Sequence, residues 1–212
     1  GAIRTNISGN LDTTFANNGY FQFNSSLPPI LDIDQPHEYG SCIRVDSGNI
    51  YLTGRRLLTN SAILKLQESN GAILGARTGI PFLTRWTNNQ STFIRNDHIY
   101  IAGYTDSNGY YAWAKINKND LTFDPGYGTG GSYIHNNTPE GQPNAIYVNS
   151  FGEAYIGGPR ATVPQSGYVV KATSTGGVDT AWGNNGELSY SDIGFPGSSD
   201  NVSFILIHNS EL

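Results

Sequence analysis

Leu11-Asp-Thr-Thr-Phe-Ala-Asn-Asn-Gly-Tyr20 returns twice in this chain, as Phe123-Asp-Pro-Gly-Tyr-Gly-Thr-Gly-Gly-Ser132 and Val178-Asp-Thr-Ala-Trp-Gly-Asn-Asn-Gly-Glu187, with no gap in either alignment. Each copy reads apolar, Asp, two small residues, aromatic, small, two polar or small residues, Gly. A strand ending in a basic residue precedes each copy: Ala2-Ile-Arg4, Trp113-Ala-Lys115 and Val169-Val-Lys171, with another at Ile63-Leu-Lys65. Those basic residues are 61, 50 and 56 positions apart. A third series, aromatic-apolar-small-Gly, comprises Tyr51-Leu-Thr-Gly54, Tyr100-Ile-Ala-Gly103 and Tyr155-Ile-Gly-Gly158. Three series that share one irregular spacing mark an internal repeat. The decapeptide due near Ala72 has Ile73 in its Asp slot and no aromatic, so that copy is degenerate.

Each unit predicts four short strands. In the first complete unit they are Gly19–Phe23, Cys42–Val45, Ile50–Gly54 and Ala62–Leu66, with 46–49 as a tight hairpin turn. The units run approximately over 9–66, 67–116, 117–172 and 173–212, after an N-terminal strand in 1–8, within a single repeat domain spanning 1–212. A four-stranded antiparallel sheet cannot bury both faces alone, whereas stacked neighbours can. The expected fold is therefore all-β and β-propeller-like, either a complete four-bladed ring or a segment of a larger propeller.

Composition agrees. The 212 residues include 26 Gly, and only 14% are charged, against the Ala, Leu, Glu and Lys content that helices favour. Net charge is −5 with no basic stripe, which argues against a nucleic-acid partner. No apolar run reaches membrane-spanning length, so no membrane insertion is expected. Cys42 is the single cysteine and reads as a small buried hydrophobe. The chain starts at Gly1 and lacks methionine, as expected of a processed product whose targeting signal has been removed.

A strand ending in Arg or Lys followed by Leu-Asp-Thr-Thr-Phe-Ala-Asn-Asn-Gly-Tyr resembles the delta-60-repeat proteins. The resemblance spans nearly the whole chain and is poor only around Ile73–Gly79. It implies a propeller, and a bacterial protein that is secreted or at the cell surface. It implies no single activity and supplies no catalytic residues.

The recurrent Asp12, Asp124 and Asp179 read as acceptors of backbone N–H groups in the turns that follow them. Phe15, Tyr127 and Trp182 read as wedges between sheets. The four histidines show no zinc-ligand spacing, and His98 and His208, near equivalent hairpins, are expected to face solvent. No metal and no cofactor is expected, and no nucleophile, zinc or phosphate-loop motif occurs.

Connections divide into two sets. The two–three and four–one turns are short and repetitive. The others are long and different in every unit, and they carry Trp86, Tyr104, Tyr110, His135 and Arg160. Recognition favours variable loops on a rigid scaffold, and exposed aromatics beside polar groups suit sugar rings. These five residues are the candidate ligand contacts. The expected function is a non-enzymatic extracellular recognition or adhesion module, its partner a surface glycan or cell-envelope component. The alternatives are a hydrolase or lyase working in a central channel, and a structural spacer in a larger surface or fibre protein.

Overall fold

The computed structural model describes residues 2–21, 38–56, 60–82, 91–105, 107–136, 141–161, 165–190 and 201–205. These contain fourteen strands and no helix. Strands β1 (Ala2–Ile3) and β2 (Tyr20–Phe21) pair with each other. Three four-stranded antiparallel sheets follow in strict chain order. The first holds β3 (Glu38–Asp46), β4 (Asn49–Arg56), β5 (Asn60–Gln67) and β6 (Ile73–Ile80). The second holds β7 (Thr92–Arg95), β8 (His98–Tyr104), β9 (Tyr111–Asn117) and β10 (Ser132–His135). The third holds β11 (Ala145–Val148), β12 (Ala154–Arg160), β13 (Ser166–Ala172) and β14 (Glu187–Tyr190). The all-β, propeller-like architecture expected from the repeat is present.

The grouping of strands differs from the expectation in one respect. Tyr20–Phe21 does not share a sheet with Cys42–Val45; it pairs back on Ala2–Ile3 across the decapeptide. The decapeptide's own hydrogen bonds are the reason. Arg4, Lys115 and Lys171 donate their amides to the carbonyls of Gly19, Gly131 and Gly186 at 2.9–3.1 Å, and accept from the amides of Asp12, Asp124 and Asp179 at 2.9–3.0 Å. The motif is thus a hairpin inside a sheet, and each sheet closes with the strand that follows it. The degenerate copy forms no such hairpin. A tight turn at 68–71 leads straight into β6, which runs beside β5 with Lys65 opposite Gly75.

Two of the sequence series meet in space. Arg4 pairs with Asp12 at 2.6 Å, Lys115 with Asp124 at 2.7 Å and Lys171 with Asp179 at 2.8 Å. Each Asp also accepts from the backbone two residues on, at Thr14, Gly126 and Ala181, the turn role expected of it. These bonds hold all three carboxyls below the usual range: Thr14 and then Arg4 act on Asp12, Lys115 on Asp124 and Lys171 on Asp179. Lys65, with no decapeptide aspartate to pair with, donates to the carbonyls of Lys118 and Asn119 in the turn after β9.

The core lies between sheets. Phe15 and Phe21 pack on Ile50, Leu64 and Leu66 of the first sheet. Tyr51 and Ile63 meet Ile99, Ala114 and Leu121 of the second. Tyr100, Trp113 and Tyr127 meet Ile146, Val148 and Val170 of the third. Phe15 and Tyr127 are the wedges the sequence predicts, each 1% exposed, while Trp182 is only half-buried. Cys42 is buried as expected, and burial raises its thiol pKa.

Candidate functional site

The short turns (46–49, 95–98, 148–154) and the decapeptides lie at one end of the sheets, since antiparallel strands alternate direction. The ends of β4, β8 and β12 and the starts of β5, β9 and β13 lie at the other. Trp86 falls outside the described residues. The remaining four candidates occupy the second end, at the seam between the second and third sheets.

Tyr104 ends β8 opposite Tyr111, the first residue of β9. Between them the Thr105 amide donates to the Tyr110 carbonyl at 2.9 Å, and the Thr105 hydroxyl accepts from the Tyr110 amide at 3.0 Å. Gly109, at φ 61, permits the tight return. Its carbonyl accepts from the amide of Gly141 at 2.9 Å. The crossing from β10 to β11 is thereby pulled onto this loop. A Cβ on Gly141 would stand 2.9 Å from the Tyr111 ring, so only glycine brings the crossing this near. Beneath it the Tyr111 hydroxyl donates to the Pro159 carbonyl at 3.0 Å, and its ring meets Tyr168 edge-on at 5.2 Å. Arg160, the last residue of β12, lays its guanidinium over Tyr168 at 5.6 Å from the ring centre.

Two candidates are not the exposed loop residues expected. Tyr104 is 9% exposed and His135 is 5% exposed. His135 is the last residue of β10, paired with Tyr111 rather than projecting from a loop. Its Nε2 lies 2.8 Å from Glu187 Oε1, and its ring tilts against Trp113. A carboxylate fifty-two residues away and an indole account for its burial. Tyr110 and Arg160 are half-buried and reach the rim.

The sequence reading missed Tyr111, Tyr168 and Glu187, which form the seam's floor. Tyr168 is buried, and its hydroxyl meets no hydrogen-bond partner of good geometry. Burial first, then the Glu187 carboxylate, pushes its pKa up, so it stays a neutral phenol. Nε of Arg160 is likewise buried without a partner. The one available signal for an inward ring was the two-residue spacing of Tyr168 and Val170 on one face of a strand. Nothing local announces Glu187.

Among the described residues the arrangement offers polar groups and an aromatic floor. Among the described residues, no three His, Cys, Asp or Glu side chains gather where a metal could sit. The three repeat aspartates stay in separate ion pairs, each in a different sheet. His98, expected to face solvent, is partly buried at the turn end, 3.6 Å from Asp124. Burial and then Lys115 lower its pKa, which keeps the imidazole neutral near pH 7. A shallow depression of about 420 Å³ is lined by Tyr190, Asn201, Val202, Ser203 and Phe204, with no charged group.

No protein-family model and no curated protein matches the chain. Among solved structures it is similar to a europium-containing methanol dehydrogenase, at 12% identity and a TM-score of 0.42. The match covers 66% of this chain and 31% of that one, so this chain corresponds to about a third of the enzyme's length.

Proposed function

We propose that this chain is a non-catalytic recognition module of the delta-60-repeat type, acting outside the cell or at its surface and binding a glycan of a surface or envelope. The observation that carries the reading is the contrast at the seam. The repeating end of the sheets is occupied with its own ion pairs and hairpins. At the other end the Tyr110 ring and the Arg160 guanidinium reach the rim, above the Tyr111–Tyr168 pair. A sugar stacks its apolar face on an aromatic ring and hands its hydroxyls to donors such as guanidinium and backbone amides. A planar guanidinium with several donors in fixed geometry suits adjacent hydroxyls or a uronic carboxylate.

The test is a glycan array that includes bacterial surface polysaccharides, run with the native chain and with Tyr110→Ala. Binding to a restricted glycan class, lost in the variant, supports the reading. A native chain that binds no glycan and no cell-envelope preparation overturns it.

A further inference from the structure

The cations of this fold have acceptors. Arg4, Lys115, Lys118 and Lys171 each pair with a carboxylate at 2.6–3.0 Å. Arg95 and Lys65 donate to backbone carbonyls. Arg160 departs from this pattern. It is half-buried at the end of β12, and its Nε is sealed from solvent without an acceptor. Among the described residues no carboxylate pairs with it. Arg77 shares the bare Nε, but its charge acts on Asp120, whose carboxyl Thr122 chiefly and Arg77 in lesser part hold below the usual range.

A guanidinium does not release its proton, so half-burying it cannot be relieved by neutralisation. The Tyr168 ring covers one side of the group, at 5.6 Å from the ring centre, and leaves the donors around its edge. Glu187 offers no relief. It stands on the same face of the third sheet, opposite Val170, and its carboxylate is engaged by His135 at 2.8 Å. The Tyr168 hydroxyl is a second buried group without a partner, whereas that of Tyr111 donates to Pro159. The register sets Arg160 opposite Ser166 and Gly158 opposite Tyr168, so Arg160 and Tyr168 share one face. One seam thus holds a charged donor and a phenol, both lacking acceptors. The group that answers them accepts hydrogen bonds, donates none and carries negative charge. A carboxylate does all three, and its two oxygens match the guanidinium fork.

We propose that Arg160 holds a carboxylate of the ligand, so that the glycan taken at this seam is a uronate polysaccharide; this rests on the glycan reading above. Tyr110, on the rim, covers the apolar face of the sugar ring, and Arg160 discriminates. A neutral sugar leaves the guanidinium half-buried and unpaired, while a uronate pairs it. Specificity then arises from what the wrong ligand leaves unsatisfied.

Biolayer interferometry on immobilised polygalacturonate, alginate and hyaluronate tests it, each beside its carboxyl-reduced form, with sulfated and neutral glycans in parallel. The native chain binds at least one uronate polymer about tenfold or more tighter than the reduced form, as charge-assisted hydrogen bonds imply. Arg160→Gln loses that preference and keeps its melting temperature, since Arg160 belongs to none of the three core clusters. Arg160→Lys keeps the charge without the fork and retains only part of the preference. Should Arg160→Gln melt early, the preference of folded Arg160→Lys must still fall below the native one. Equal binding of charged and reduced forms overturns the proposal and leaves the glycan reading standing. So does a preference that survives in both variants, or binding confined to neutral or sulfated glycans. A chain that binds no glycan at all overturns both.

Discussion

The turn end and the loop end of these sheets are built by the same strands and obey different rules. At the turn end, three hairpins repeat bond for bond: basic amide to glycine carbonyl, Asp amide to basic carbonyl, ion pair between the two side chains. At the loop end the β8–β9 connection folds on Thr105 and Gly109, while the crossing to β11 leans on it through Gly141. Repetition marks where packing leaves no choice. Divergence marks where packing leaves residues available, and at the described seam those are Tyr110 and Arg160.

The comparison breaks most visibly at the wedge. Tyr127 is 1% exposed between the second and third sheets and meets Tyr100 edge-on at 6.0 Å. Tyr127→Ala should cost about 3–5 kcal/mol, as for other large aromatic truncations in a core. Urea unfolding measures this directly. Tyr127→Phe should cost little or even stabilise, because the hydroxyl is buried without a hydrogen bond.

A smaller loss is expected at the ion pair. Asp124 joins the Lys115 ammonium, the Gly126 amide and the hairpin, but a quarter of its side chain is exposed, so solvent screens the charge. Asp124→Asn should therefore cost about 1 kcal/mol. Lys65→Met is a sharper comparison. Among the described residues its ammonium meets two carbonyls and no acid, so it should cost less than Lys115→Met in the same urea titration.

Acid should reveal the same pairs. Asp124, Asp179 and Asp46 have folded pKa values below their ordinary ones, held there chiefly by Lys115, Lys171 and Lys118. A group depressed on folding binds its proton more readily when unfolded. Its contribution is complete above the unfolded value, near 4, and disappears as pH falls through the folded value. Stability should thus hold from neutral pH to about 5 and decline below about 4. Asp124→Asn should flatten that decline. An unchanged slope in the variant would show that this pair does not couple folding to pH.

Much of this was legible in sequence, for an identifiable reason. The basic residues and the aspartates kept a common spacing because they are partners, so separate series reported one hairpin. The phase of the sheets was not legible, since a periodic sequence has no origin; only the pairing of Tyr20–Phe21 with Ala2–Ile3 reveals it. Strand β6 was hidden because Ile73–Ile80 contains two glycines and weak alternation, and its partner β5 supplies the order. The burial of His135 was hidden because Glu187 and Trp113, which make it tolerable, come from other strands. Tyr110 and Arg160 could be named as candidates from loop position alone, but their shared seam depends on Gly141 approaching Tyr111 and Pro159.

The smallest expected effect on folding is the most informative about function. Tyr110 belongs to none of the three core clusters. Its backbone bonds to Thr105 survive any substitution that leaves the amide in place. Tyr110→Ala should therefore change stability by no more than about 0.5 kcal/mol, the range of surface substitutions. Its loss from a stacked complex should weaken binding by roughly tenfold, because an aromatic contact contributes about 0.5–1.5 kcal/mol beyond the area it covers. Tyr104→Ala, at a buried strand end, should do the reverse: lower the melting temperature and leave the affinity of folded molecules unchanged. Measuring both variants for melting and for glycan affinity separates the two roles. If Tyr110→Ala melts the sheets as Tyr104→Ala does, the loop end is packed as tightly as the turn end, and the contrast between them fails.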